Sequence, residues 1–226
     1  MSEKLYFYHS VMNSGKSANL ILQVHNLQSQ GKKVLVLKPK LDTRDNGIIK
    51  SRALETSLEA HLIDDDTDII DLVAMNYPDY VFVDEVNFLS SKHVNALAKL
   101  ADDLLVPVFG YGLMVDYRGE LFEGSKRMVE LADSIRELKS PCVHCSRKAT
   151  MHLRKVNGGY VFDGKSIQVG DIDDYESVCR KCYYDKKRKS TIHFNIQNAF
   201  EEARKDYHTR LKEEIMEEIT DNENNK

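Results

Sequence analysis

Gly15-Lys16-Ser17 stands between a short aromatic run, Leu5-Tyr6-Phe7-Tyr8, and a helical pattern that begins Ala18-Asn19-Leu20-Ile21-Leu22. No other feature of the chain constrains its fold so tightly. A strand, a tight turn and a helix in that order aim backbone N–H groups and the positive end of a helix dipole into one concavity, which suits phosphate. Gly15 lets the backbone approach closely. Lys16 supplies a point charge for β- and γ-phosphates, and the Ser17 hydroxyl can ligate Mg²⁺. The full pattern starts with a glycine five residues before Gly15, where this chain has Ser10. Serine fits there if its φ is negative, and its hydroxyl adds a donor. Ser10, Val11, Met12, Asn13, Ser14, Gly15, Lys16 and Ser17 are thus the candidate loop. The competing reading is a surface turn that happens to spell GKS, and the strand–loop–helix context argues against it.

The rest of the first 140 residues repeats the alternation. Val34 to Leu37 and Tyr80 to Val83 are continuous apolar runs, as in buried parallel strands. Leu104 to Phe109 reads as a fourth strand, with Pro107 marking an edge or a strand start. Ile135 to Leu138 reads as a fifth. Helices are expected near 67–75 and over Ser91 to Asp102, the latter capped by Ser90 or Ser91. Gly31 closes the first helix. Residues 41–60 are polar and read as a long loop. Strands alternating with helices imply an α/β fold with a mostly parallel sheet.

Hydrophobic residues make up 42% of the 226, enough for a sizeable core. The net charge of −4 lacks the basic footprint of a nucleic-acid binder. No apolar run approaches the roughly 18 residues of a membrane span, and the N-terminus leads into a strand and not a signal peptide. The expectation is a soluble, cytoplasmic protein.

Asp84 and Glu85 end the Tyr80–Val83 run. Ligands in such sheets sit beyond the carboxyl ends of the strands. Asp84 is placed to stay ionised near a metal, and Glu85 to accept a proton. Adjacent strand residues point oppositely, but a chain already turning can aim both at one site. The competing reading makes one of the two a capping or surface acid.

At Pro141 the composition changes. Cys142-x-x-Cys145 and Cys179-x-x-Cys182 have the form of two knuckles closing on one tetrahedral Zn²⁺. All four positions would be protein ligands, so the ion would be structural. Free thiols or a redox pair are the alternative. Basic residues around the second knuckle read as a solvated face. Beyond Ser190, Ile196, Phe200, Ala203, Tyr207, Leu211, Ile215 and Ile219 mark an amphipathic helix. The expected division is 1–140, 141–190 and 191–226.

The motifs "SVMNSGKSANL", "KPKLDTRD", "FVDEVNFL", "YGLMVDYRGELFEGS", "ELKSPCVHCSRKATMHLR" and "VGDIDDYESVCRKCY" resemble the type II thymidine kinases, the cellular cytosolic and bacterial kind, from about Leu5 to Lys187. The resemblance implies ATP-dependent phosphorylation of thymidine, a P-loop core, and a small zinc-anchored β-rich domain whose lasso loop closes over the nucleoside. It also implies a homotetramer or dimer. Asp42, Thr43 and Arg44 would contact nucleotide beside Val86 and Asn87, Asp84 would serve Mg²⁺, and Glu85 would be the base. Met12, Leu113, Tyr117 and Phe122 would wall the base pocket. Ser166, Ile167, Gln168, Val169 and Gly170 would grip thymine through their backbone, with Tyr175 alongside. Asn87, Met114 and Asp171 depart from the family's usual glutamine, arginine and glycine. Two rival readings follow from the residues: an ATPase using the zinc knuckle on nucleic acid, and a degenerate nucleotide sensor.

Overall fold

The computed structural model describes residues 2–42, 47–51, 54–164, 166, 174–192, 200–202 and 204–208. They fall into two compact units, Met1–Tyr183 and Tyr184–Lys226. In the second unit, residues 184–192, 200–202 and 204–208 are helical. The apolar positions 196, 203, 211, 215 and 219 lie outside the described residues.

The first unit is built on β1 (Leu5–Ser10), β2 (Val34–Pro39), β5 (His61–Ile63), β6 (Tyr80–Val83), β7 (Val108–Leu113) and β8 (Ser134–Glu137), in the order β5-β2-β6-β7-β1-β8. Every pairing in this sheet is parallel. Helix α1 (Lys16–Ser29) covers one face; α2 (Ile69–Asn76), α3 (Ser91–Asp102) and α4 (Glu123–Leu131) cover the other. The strands divide their side chains by parity. Leu35, Leu37, Val81 and Val83 join the core under α2, α3 and α4, whereas Val36 and Phe82 join the core under α1. Both faces are dry, which is why these strands read as unbroken apolar runs. Ser90 caps α3 by accepting the His93 N–H.

Two expectations are corrected. Residues 41–60 are not a plain loop: β3 (Ile48–Ser51) and β4 (Thr56–Glu59) form an antiparallel hairpin. Its signal was hidden because Ile49 is the one hairpin residue buried in the core under α1, with Leu58 packed half-buried against it, while the rest of β4 is exposed. The fourth strand runs over Val108–Leu113 and not 104–109, and it lies between β6 and β1 and not at an edge. Pro107 therefore marks a start: its carbonyl accepts the Val81 N–H. Gly110 and Gly112 disguised this strand. A Cβ at Gly110 would stand 2.8 Å from Met128 Cε, and one at Gly112 2.6 Å from Asn87 Oδ1.

A second sheet, β10-β9-β11, is antiparallel and consists of β9 (Met151–Val156), β10 (Gly159–Val161) and β11 (Tyr175–Val178). Its small core holds Cys142, Leu153, Phe162, Val178, Cys179 and Tyr183.

The 3-10 turn Val86–Phe88 that follows β6 rests on the start of α4. A Cβ at Gly124 would stand 2.2 Å from the Val86 carbonyl oxygen and 2.8 Å from that of Leu89. Neither backbone oxygen can swing aside. Gly124→Ala is expected to lower unfolding free energy by about 2–3 kcal/mol, measured by urea titration. Unchanged stability would mean that the turn and α4 are not held together.

Candidate active site

β1 runs into the loop at Ser10, which is buried and keeps a strand conformation with no positive φ. The turn is made further along, where Asn13 has φ 58° and Gly15 has φ 81°. Three groups converge on the Val11 carbonyl. Ser10 Oγ donates to it at 3.0 Å, Ser14 Oγ at 2.7 Å, and Lys16 Nζ at 3.4 Å. The phosphate half of the loop is thus tied to itself, with Lys16 folded back over it. Ser17 lies in the first turn of α1, half-buried.

Asp84 follows β6 and is only 3% exposed. Glu85 takes the left-handed conformation, φ 51° and ψ 42°, and starts the 3-10 turn. Such a backbone costs a non-glycine residue free energy, and strain of this kind gathers at functional sites. The kink ends the strand's alternation and keeps the two carboxylates near one another. Burial, and after it the Glu85 carboxylate, push the Asp84 carboxyl up to about 7, against the pull of Lys16 and Lys38. Asp84 Oδ1 is buried without a hydrogen-bond partner. An orphaned carboxylate oxygen facing a phosphate loop suits a hard divalent cation with oxygen ligands, so these residues fit Mg²⁺.

Lys38, at the end of β2, had not been singled out. It forms a buried ion pair with Asp42 at 3.2 Å and donates to the Ile48 carbonyl. A lysine closing an otherwise apolar strand, one strand away from Asp84, was the available signal. Asn87 is buried; its Oδ1 accepts the Leu113 N–H at 2.9 Å and its Nδ2 has no partner. Val86 is buried in the core, and Met114 packs against the same cluster.

Of the residues expected to wall a base pocket, Met12 follows β1, and Tyr117 and Phe122 follow β7. Leu113 ends β7, and its carbonyl accepts the Ser125 hydroxyl. Phe122 packs edge-on to Phe88, with ring centroids 5.7 Å apart. Tyr117 is buried; its hydroxyl donates to the Asp163 carbonyl, its own carbonyl accepts the Tyr183 hydroxyl, and Arg154 lies over its ring. Asp116 was also missed. Burial opposes its ionisation, but hydrogen bonds from Ser166, Glu120 and Arg118 hold its carboxyl below the usual range. Tyr175 opens β11 opposite Arg154. Thr43, Arg44, Ile167, Gln168, Val169, Gly170 and Asp171 lie outside the described residues.

The four cysteine sulfurs lie within 4.8 Å of one another. Cys145 Sγ is 3.7 Å from Cys179 Sγ and 3.8 Å from Cys182 Sγ. Tetrahedral thiolates at bonds of about 2.3 Å would stand about 3.8 Å apart. Backbone N–H groups of His144 and Cys182 donate to Cys142 Sγ and Cys179 Sγ. Against the effect of burial, such donors bring the Cys142 thiol down to about 7. Burial and the neighbouring sulfurs push the Cys182 thiol up to about 12. Four thiolates so close need a cation, and the cluster could hold a metal such as zinc.

His152, on β9, is 2% exposed, and burial and then Lys16 lower its pKa to about 4. Between pH 6.5 and 4 the unfolded chain binds a proton that the native ring refuses. The stability contributed by the neutral ring is complete above 6.5 and is lost as pH falls toward 4. The loss should amount to roughly 3 kcal/mol. His152→Gln should remove this part of the pH–stability curve; parallel curves for the two proteins would refute it.

The family model described as "Thymidine kinase" matches residues 3–183. The chain is 44% identical over 185 residues to the thymidine kinase of Streptococcus gordonii, covering 80% of this chain and 96% of that protein. It is 45% identical over 186 residues to that of Streptococcus agalactiae, covering 80% and 97%. Against that of Lactococcus lactis it is 44% identical over 184 residues, again covering 80% and 97%. No helix among the described residues is long and apolar enough to cross a membrane. Phosphate loop, carboxylate pair and cysteine cluster all fall inside the matched span, and the chain belongs to the thymidine kinase family.

Proposed function

We propose that the protein is a thymidine kinase that transfers the γ-phosphoryl group of ATP to the 5′-hydroxyl of thymidine or deoxyuridine. The observation that carries this reading is the meeting of Lys16, Asp84 and Glu85 at the carboxyl ends of β1 and β6, with Asp84 raised to about 7 by burial and by Glu85. Residues Ser10 to Ser17 cradle the phosphates, and Lys16 leaves the Val11 carbonyl to take the β- and γ-oxygens. Ser17 and Asp84 would hold Mg²⁺, which when bound would neutralise charge on the transferring group. Asp42, Thr43, Arg44, Val86 and Asn87 complete the nucleotide side.

Glu85 accepts the proton of the 5′-hydroxyl as that oxygen bonds the γ-phosphorus. The bond to the β–γ bridging oxygen breaks, and ADP leaves with the electron pair. Met12, Leu113, Tyr117 and Phe122 wall the thymine. Ser166 to Gly170 and Tyr175 bind its edge. Zn²⁺ would be held by Cys142, Cys145, Cys179 and Cys182 and would anchor the segment 141–190 that carries them; the core is 1–140 and the tail 191–226. The working form is a cytoplasmic homotetramer or dimer. Most of the rate enhancement would come from positioning and charge stabilisation, since phosphoryl transfer leaves little covalent work to the protein.

The test is ADP release with Mg-ATP against a panel of deoxynucleosides. Turnover with thymidine supports the reading. Nucleotide binding without turnover of any nucleoside would replace it with a nucleotide sensor, and ADP release stimulated by DNA or RNA alone with a nucleic-acid-linked ATPase.

A further inference from the structure

Both polar groups of the Met12 residue are taken by the small sheet. Its N–H donates to His152 Nε2 at 3.0 Å, and its carbonyl accepts the Ser177 hydroxyl at 2.8 Å. His152 and Ser177 are directly opposed in the β9–β11 pairing, so one cross-strand pair closes on one residue of the loop. Because Nε2 accepts, the ring proton sits on Nδ1, and the Val115 carbonyl hydrogen-bonds the same ring. His152 therefore joins two strands' ends of the large sheet: the loop after β1 and the segment after β7 that leads to Asp116 and Tyr117. The other half of the loop needs none of this. Val11 is held from within the loop by Ser10, Ser14 and Lys16.

We propose that His152 and Ser177 are positioning residues for the nucleoside, acting through Met12 and Val115, and that they set nucleoside affinity while leaving the phosphate subsite alone. The inference rests on the thymidine kinase reading and assigns the two residues a part in it. Met12 and Tyr117 are proposed to face the nucleoside from two different segments, and the His152 ring hydrogen-bonds directly to both segments, at Met12 and at Val115. Ser177 adds the second point that stops Met12 from rotating about the first. β11 begins at Tyr175, so its Ser177 lies two residues from a proposed nucleoside contact and reports on the same subsite. Lys16, which faces the His152 ring along with Asp116, keeps its own anchor on Val11.

The test compares His152→Leu, His152→Gln and Ser177→Ala with the wild type, using the full chain. KM for thymidine and for ATP, kcat, and the thymidine Kd by calorimetry without ATP are measured. Loss of one such hydrogen bond should raise KM and Kd for thymidine about tenfold in His152→Leu and in Ser177→Ala. ATP KM should stay within about twofold and kcat within about threefold. Gln offers an acceptor where Nε2 stood and should recover most of the loss. If His152→Leu does not fold, Ser177→Ala and His152→Gln carry the comparison. Thymidine KM within twofold of wild type in Ser177→Ala, or an equal rise in both KM values, overturns the inference while wild-type turnover keeps the kinase reading. Absence of wild-type turnover overturns both.

Discussion

Glu85→Gln is expected to lose about 10³-fold in kcat with thymidine while binding Mg-ATP as well as the wild type or better. The substitution keeps the length of the side chain and an oxygen that can accept a hydrogen bond, but it cannot take a proton. The backbone around it should be unaffected, because φ 51° is no harder for glutamine than for glutamate. Its effect on Asp84 runs the other way. Glu85 is the charge that, after burial, raises the Asp84 carboxyl to about 7. Removing it favours the ionised Asp84, so metal and nucleotide affinity should hold or improve. The signature is a loss confined to the chemical step. A parallel loss of nucleotide affinity would make Glu85 a binding residue, and full activity would remove it from the reaction.

What could be read from the residues alone was whatever sits on a continuous stretch of chain. The loop was legible because strand, glycine, lysine and helix are contiguous, and Asp84 because it ends an apolar run. The cysteine knuckles were legible because two short pairs announce themselves at any separation. Groups assembled across strands were not. His152 and Ser177 meet Met12 from 140 and 165 residues away, and each alone is an ordinary strand residue. Lys38 and Asp42 are only four residues apart, but the place of Lys38 beside Asp84 depends on β2 lying next to β6. Gly110 and Gly112 look like loop until the 3-10 turn and Met128 are placed against them. The hairpin β3–β4 has too little apolar pattern to be told from a polar connection.

Removing the metal that the cysteine cluster could hold should have the other large effect, centred on the small sheet and on what it grips. Two of the six side chains in that sheet's core, Cys142 and Cys179, belong to the ligand set. A three-stranded sheet with so small a core does not stay folded on apolar burial. Binding of a structural ion to thiolates supplies folding free energy directly. Without the ion, clustered thiols replace a compact charged centre, and Tyr183, four residues after Cys179, is no longer fixed. With it go the hydrogen bond from the Tyr183 hydroxyl to Tyr117 and the hold of His152 and Ser177 on Met12. The large sheet shares none of this core, and its own clusters stay closed. Cys179→Ser, or chelation under denaturing challenge, should therefore cost the metal that the cluster could hold, expose residues 141–183 to protease and raise thymidine KM more than tenfold. Circular dichroism of the α/β core should change little. Zinc content measured by atomic emission, limited proteolysis and thymidine kinetics on one preparation decide it. If the metal-free protein keeps its thymidine KM and a protease-resistant small sheet, the cysteines are not what holds the nucleoside side of the site in place.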